Sequence, residues 1–164
     1  MTVTSVVKDP EALTMTVTAE YDVTADRAWQ LWGDPRQLER WWGPPMFPAT
    51  FVDHDLVVGG RATYYMTGPE GDRFPGYWDV LESEPPRLLV VHDGFLGDDG
   101  APNDDMPRTV MRVEIADRPG GGVECTIASQ FASAEAMQQL IAMGMEEGLR
   151  LAMGQIDAIL AGTA

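Results

Sequence analysis

The sequence predicts a single α+β domain in which a curved antiparallel sheet of about seven strands wraps around one long C-terminal helix. Three observations predict it. The 164 residues, 45% of them hydrophobic, suit one well-cored domain and are too few for two ordinary ones. Short runs of strand-like residues fill the middle of the chain, each bounded by Gly, Pro or Asp clusters. From Ser133 to Leu160 the composition turns to Ala, Met, Leu, Gln and Glu at helical period.

The elements follow in order. Residues 1–12 read as an N-terminal arm and residues 13–162 as the domain. From Leu13 to Val23 the alternation is clean, with Leu13, Met15, Val17, Ala19, Tyr21 and Val23 on one side of a half-buried strand. Thr24 is placed to cap a short helix carrying Trp29 and Trp32, which Gly33-Asp34-Pro35 ends. A second short helix runs from Pro35 to about Trp42 and stops at Gly43-Pro44-Pro45. Six strands then form a meander: Phe47–His54, Arg61–Thr67, Phe74–Ser83, Leu88–His92, Thr109–Ile115 and Val123–Phe131. The turns between them are explicit at Gly59-Gly60, Gly68–Gly71, Pro85-Pro86 and Pro119–Gly122. The segment Asp93–Asp105, rich in Asp and Gly, reads as a long surface loop.

The final helix, projected at about 100° per residue, places Met137, Ile141, Gly144, Met145, Gly148, Ala152, Ile156 and Ile159 on one face. Its middle is made of small residues. A helical glycine costs about 0.8–1.0 kcal/mol relative to Ala, so Gly144 and Gly148 call for a closely packed sheet or an open space beside them. The helical pattern leaves both open.

Composition excludes several function classes. With 11 Lys and Arg against 26 Asp and Glu, the formal charge is −15, which repels phosphate backbones and anionic membranes; neither nucleic acid nor membrane is an expected partner. Cys125 is the only cysteine, so an intrachain disulfide and a Cys-based zinc site are ruled out and a reducing, cytoplasmic home is expected. Met1–Pro10 has no apolar stretch behind a basic start, and no stretch is long and apolar enough for a membrane helix.

Three motifs in order carry a family resemblance. Ala25-Asp-Arg-Ala-Trp29 leads through Asp34-Pro35 and Leu38 to Trp41-Trp42-Gly43-Pro44; Asp55-Leu-Val-Val-Gly59-Gly60-Arg61 opens a strand with paired glycines; Gly71 and Gly76 precede Glu84-Pro85-Pro86-Arg87-Leu88. Over roughly Leu13 to Leu160 the chain resembles homologues of the activator of the heat-shock protein 90 ATPase, within the START-like, helix-grip superfamily. The resemblance implies a helix-grip fold. That superfamily hosts binders, cyclases and chaperone partners alike, so it implies no single activity. Many members carry Gly-Trp early in the last helix where this chain has Gly148-Leu149, which implies a wider or differently lined interior.

By strand parity, Leu88, Val90 and His92 are expected to face the helix together with Trp78, Met111, Val113, Cys125 and Ile127. A lining of Met and aromatic side chains suits a hydrophobic small molecule; an ordinary filled core fits the same pattern. The residues expected at a ligand site are Trp32, Tyr64, Met66, Trp78, His92, Met111, Gly144, Met145, Gly148 and Leu149, all as contacts. No catalytic set, metal site or cofactor is expected. Asp53-His54-Asp55 holds ligand-type side chains, but alternation sends His54 to the opposite face from the two acids and to an exposed position. The glycine clusters lack the Lys-Ser/Thr and helix start of a phosphate loop, and Cys125 reads as an inert core thiol.

The expected function is therefore binding of a small hydrophobic molecule in a cavity of about 300 Å³ or more, by a monomer or a homodimer. Two alternatives stay open. One is a chaperone-associated stress protein, as the resemblance implies, although 164 residues leave no room for the namesakes' additional chaperone-binding domain. The other is a cyclase- or dehydratase-type enzyme with His92 as acid or base.

Overall fold

A computed structural model describes residues 3–162. Its element order is β1 (Val3–Asp9), β2 (Thr14–Tyr21), α1 (Ala25–Gly33), α2 (Pro35–Leu38), β3 (Ala49–His54), β4 (Arg61–Thr67), β5 (Arg73–Glu84), β6 (Leu88–Phe95), β7 (Thr109–Asp117), β8 (Val123–Phe131), α3 (Ala134–Ala142), α4 (Met145–Met153) and α5 (Ile156–Leu160). Among the described residues the strands form one antiparallel sheet in the order β1-β2-β8-β7-β6-β5-β4-β3. Strands β3 to β8 are the expected meander, and the helix-grip fold is the one the sequence predicts.

The strand count differs by one. Residues 3–9, expected within an arm, pair with β2 as an edge strand; residues 1–2 lie outside the described residues. Asp9 Oδ1 accepts the backbone N–H groups of Glu11 and Ala12 at 3.1 Å each, closing the turn into β2. Only Val3 and Val6 of β1 are partly buried. An edge strand held by backbone bonds shows no hydrophobic alternation, which is why pattern alone missed it.

Local chemistry sets the helix starts. Thr24 Oγ1 accepts Arg27 N–H at 3.2 Å, Asp34 Oδ1 accepts Arg36 N–H at 2.9 Å, and Ser133 Oγ accepts Ala136 N–H at 3.0 Å. The C-terminal helix is not continuous, as expected from its periodicity, but broken into α3, α4 and α5. Gly144 has φ +94°, a left-handed conformation that ends α3 and redirects the chain into α4. A helical projection assumes unbroken 100° steps and cannot reveal such a turn. Gln155, between α4 and α5, donates from Nε2 to the Gly43 carbonyl at 2.7 Å, tying the helical layer to the corner after α2. Lys8 and Glu146 meet at 2.6 Å and join β1 to α4.

The core lies between sheet and helices and is densest in aromatic rings. Trp32, Trp41, Trp42 and Trp78 pack at centroid distances of 4.8–5.9 Å, mostly edge to face. Trp41 is fully buried, and its indole N–H donates to the Leu31 carbonyl at 2.8 Å.

Candidate ligand-binding site

A cavity of about 290 Å³ lies between α4 and the sheet. Its roof is Leu140 of α3 with Met143, Gly144, Met145, Gly148, Leu149 and Ala152. Its floor is Tyr64 and Met66 of β4, Asp93, Gly94 and Phe95 of β6, Thr109 and Met111 of β7, and Ser129 of β8. Trp42, Gly43, Pro44 and Pro107 close the sides. A Cβ added at Gly148 would meet no atom within 4 Å, and the same holds at Gly144. Of the two environments those glycines allowed, the structure has the open one.

The roof is apolar and the polar groups belong to the floor. Alternation along β6 turns Leu89, Val91 and Asp93 toward the helices: Leu89 and Val91 are fully buried in the core cluster, and Asp93 lines the cavity. Register then sets Asp93 opposite Thr109 on β7, and Met111 opposite Ser129 on β8. The Tyr64 hydroxyl donates to Asp93 Oδ1 at 3.4 Å, although β5 lies between their strands. Gly76 makes this reach possible. It is the β5 residue registered with Tyr64, and a Cβ there would lie 2.6 Å from the phenol ring; without one, the ring lies flat across β5.

The electrostatics of this end follow from enclosure. Burial pushes the Asp93 carboxyl up to about 7, held back by the Tyr64 hydroxyl and the nearby Trp78 indole. Burial, followed by the charge of Asp93, raises the Tyr64 hydroxyl well above its ordinary range, so it stays protonated as a donor. Among the described residues, no partner of normal hydrogen-bond geometry meets the buried Nε1 atoms of Trp42 and Trp78. Such a site can hold an apolar body and contact one polar group; Asp93 can also exchange a proton near neutral pH.

The sequence profile described as Activator of Hsp90 ATPase homolog 1-like protein matches residues 22–161. The chain belongs to this family. It is similar to Protein Ms6760 from Mycobacterium smegmatis, a crystal structure with 46% identity, covering 96% of each chain at a TM-score of 0.88. It is also similar to a protein from Arthrobacter aurescens solved by NMR in solution, with 48% identity, 99% of this chain and 94% of that one covered, and a TM-score of 0.93. A crystal structure from Silicibacter pomeroyi shares the fold at 19% identity, with 92% of this chain and 99% of that one covered and a TM-score of 0.72. No match was found among curated proteins. Membership in the activator-like family brings a START-like fold of the ligand-binding type.

Within this family fold, Tyr64, Met66, Met111, Gly144, Met145, Gly148 and Leu149 all line the cavity. Trp32 and Trp78 do not. Trp32 is a core residue packed on Trp41, and Trp78 supports the cavity from behind, 5.0 Å from Trp42 and 6.1 Å from Tyr64. His92 is the clearest correction. It is half-buried on the other side of β6, registered with Asp79 and Val110, and it is not among the lining residues. The run Leu88-Leu89-Val90-Val91 is apolar throughout, so its inward phase cannot be read from polarity; the inward set is Leu89, Val91 and Asp93, one residue out of step with the expectation.

Asp93 was the residue hidden by composition, since its position at the head of an Asp-rich segment made it look like loop. Strand β6 instead extends to Phe95. Thr109 and Ser129 could have been found, because they stand two residues from Met111 and Ile127 on the same strand faces. His54 is half-buried rather than exposed, its Nε2–H donating to the Trp32 carbonyl at 2.9 Å. Among the described residues no group of three or more His, Cys, Asp or Glu is placed to hold a metal ion. Cys125 is buried, and burial pushes its thiol up to about 12, which leaves it unreactive at neutral pH. No helix among the described residues is long and apolar enough to cross a membrane.

Proposed function

We propose that this protein binds a small hydrophobic molecule in the cavity between α4 and the sheet, as contacts only and without a resident cofactor. The observation that carries the reading is the open space at Gly148. A helix facing a filled core gains by carrying a side chain there, whereas here a glycine faces a cavity lined by methionine, leucine and aromatic side chains. Methionines adapt to the shape of an occupant, and the aromatic rings offer flat apolar contact.

Native mass spectrometry of the purified chain tests the reading directly. A small apolar molecule is expected to remain bound to the wild type and to be lost from Gly148→Leu, whose side chain fills the cavity. A bare wild-type mass, together with equal uptake of an uncharged solvatochromic dye by the two proteins, would sink it. The enzyme reading of cyclase or dehydratase type loses the group it was placed on, because His92 is off the cavity. The chaperone reading rests on the family description alone.

A further inference from the structure

We propose that the ligand carries a basic nitrogen on its apolar body, and that its ammonium group seats on Asp93. The inference rests on the reading that the cavity binds a small hydrophobic molecule, and it narrows the class of that molecule. Its starting point is a carboxyl without a counter-charge among the described residues. Asp93 lines the cavity, yet no Lys, Arg or His stands among the lining residues. The groups that act on it are the Tyr64 hydroxyl and the Trp78 indole, both neutral. A carboxylate offers about four lone-pair sites, and the Tyr64 bond, at 3.4 Å, occupies one of them at the long end of the range.

Buried carboxyls that serve structure alone are paired with a cation or fully hydrogen-bonded, because an enclosed and unpaired charge is costly. Among the described residues Asp93, part-buried and with one long bond from Tyr64, is neither, and it lines the cavity. The ligand that best offsets this cost brings the missing positive charge and the missing donors together. Three aromatic residues, Trp42, Tyr64 and Phe95, line the same cavity as the acid, and a ring face turned to a partly desolvated ammonium adds cation–π attraction. The chain as a whole, at −15, concentrates cations near its surface and repels anionic ligands. Gly76 holds the arrangement open, since a side chain there would drive the Tyr64 ring away from the acid.

The test uses three probes of one shape and different charge: 1-naphthylmethylamine, 1-naphthalenemethanol and 1-naphthoic acid, titrated calorimetrically into the wild type and Asp93→Asn. The amine is expected to bind the wild type about tenfold or more tighter than the alcohol, a difference of about 1.4 kcal/mol, with the acid weakest. In Asp93→Asn the amine and alcohol should bind alike. Equal affinities in the wild type, or an amine preference that survives in Asp93→Asn, overturn the inference while leaving the hydrophobic-cavity reading intact. Failure of all three probes against a wild type that still carries a co-purified uncharged molecule does the same; failure of all three with a bare wild-type mass overturns both. Should Asp93→Asn not fold, the wild type decides alone: the carboxyl ¹³C resonance of Asp93 is expected to move with the amine and not with the alcohol, and identical responses overturn the proposal.

Discussion

Replacing Asp93 by Asn keeps the shape of the side chain and removes its titration. In the wild type the carboxyl sits at about 7 rather than the ordinary 3.8, so between those values the folded protein holds a proton that the unfolded chain releases. The unfolded state then binds fewer protons, and stability must fall as pH rises through this window, opposite in sign to a salt-bridged aspartate. At about 1.36 kcal/mol per pH unit, the full difference is roughly 4 kcal/mol. Water entering the cavity lowers this, so about 2–4 kcal/mol is expected. Urea unfolding followed by tryptophan fluorescence from pH 4.5 to 8 should show Asp93→Asn gaining steadily on the wild type as pH rises. By pH 8 the gain should reach that amount. The repulsion among the other acids acts on both proteins and largely cancels in the comparison. Parallel stability curves would refute the assignment of Asp93 as a part-buried, uncompensated carboxyl.

Other substitutions probe the frame around it. Gly148→Ala adds a methyl group to open space in a helix and should stabilise by about 0.8–1.0 kcal/mol, while Gly144→Ala forces a side chain into the left-handed region and should destabilise by about 1–3 kcal/mol; thermal unfolding of the pair separates the two. Gly76→Ala places a Cβ 2.6 Å from the Tyr64 ring and should cost about 1–3 kcal/mol. With the Tyr64 hydroxyl displaced, the Asp93 carboxyl should titrate higher than in the wild type, measurable by ¹³C NMR, and an unchanged value would deny the hydrogen bond. Trp41→Phe strands the Leu31 carbonyl in the core and should destabilise by about 1–3 kcal/mol; a neutral result in urea unfolding would mean that the indole bond carries no net stability.

Much of the fold was legible because it rests on short-range chemistry. The alternation from Met15 to Tyr21, the cap at Thr24, and the Gly and Pro turns each act over a few residues, and the structure places elements where they say. The missing strand, Val3–Asp9, has almost no buried face, so the cause of its order is a row of backbone bonds to β2 rather than anything its side chains declare. The break at Gly144 was invisible for a related reason. A glycine in a helical pattern is compatible with a helix and with a left-handed turn, and only the packing on either side selects between them.

The sequence by itself determined the fold class, the family, the acidic shell and most of the apolar lining, since these follow from periodicity, motif spacing and residue type. It also narrowed Gly148 to two environments. Tertiary structure chose the open one, because the volume beside a helix depends on how far the sheet curves away from it, which is a sum over many strands. It also put Asp93 rather than His92 along the cavity. Along an unbroken apolar run the inward phase is undetermined, and a shift of one residue exchanges the two faces. Whether a strand end points a histidine or a carboxyl into a cavity is settled by register with its neighbours across the sheet, and that register exists only in the folded chain.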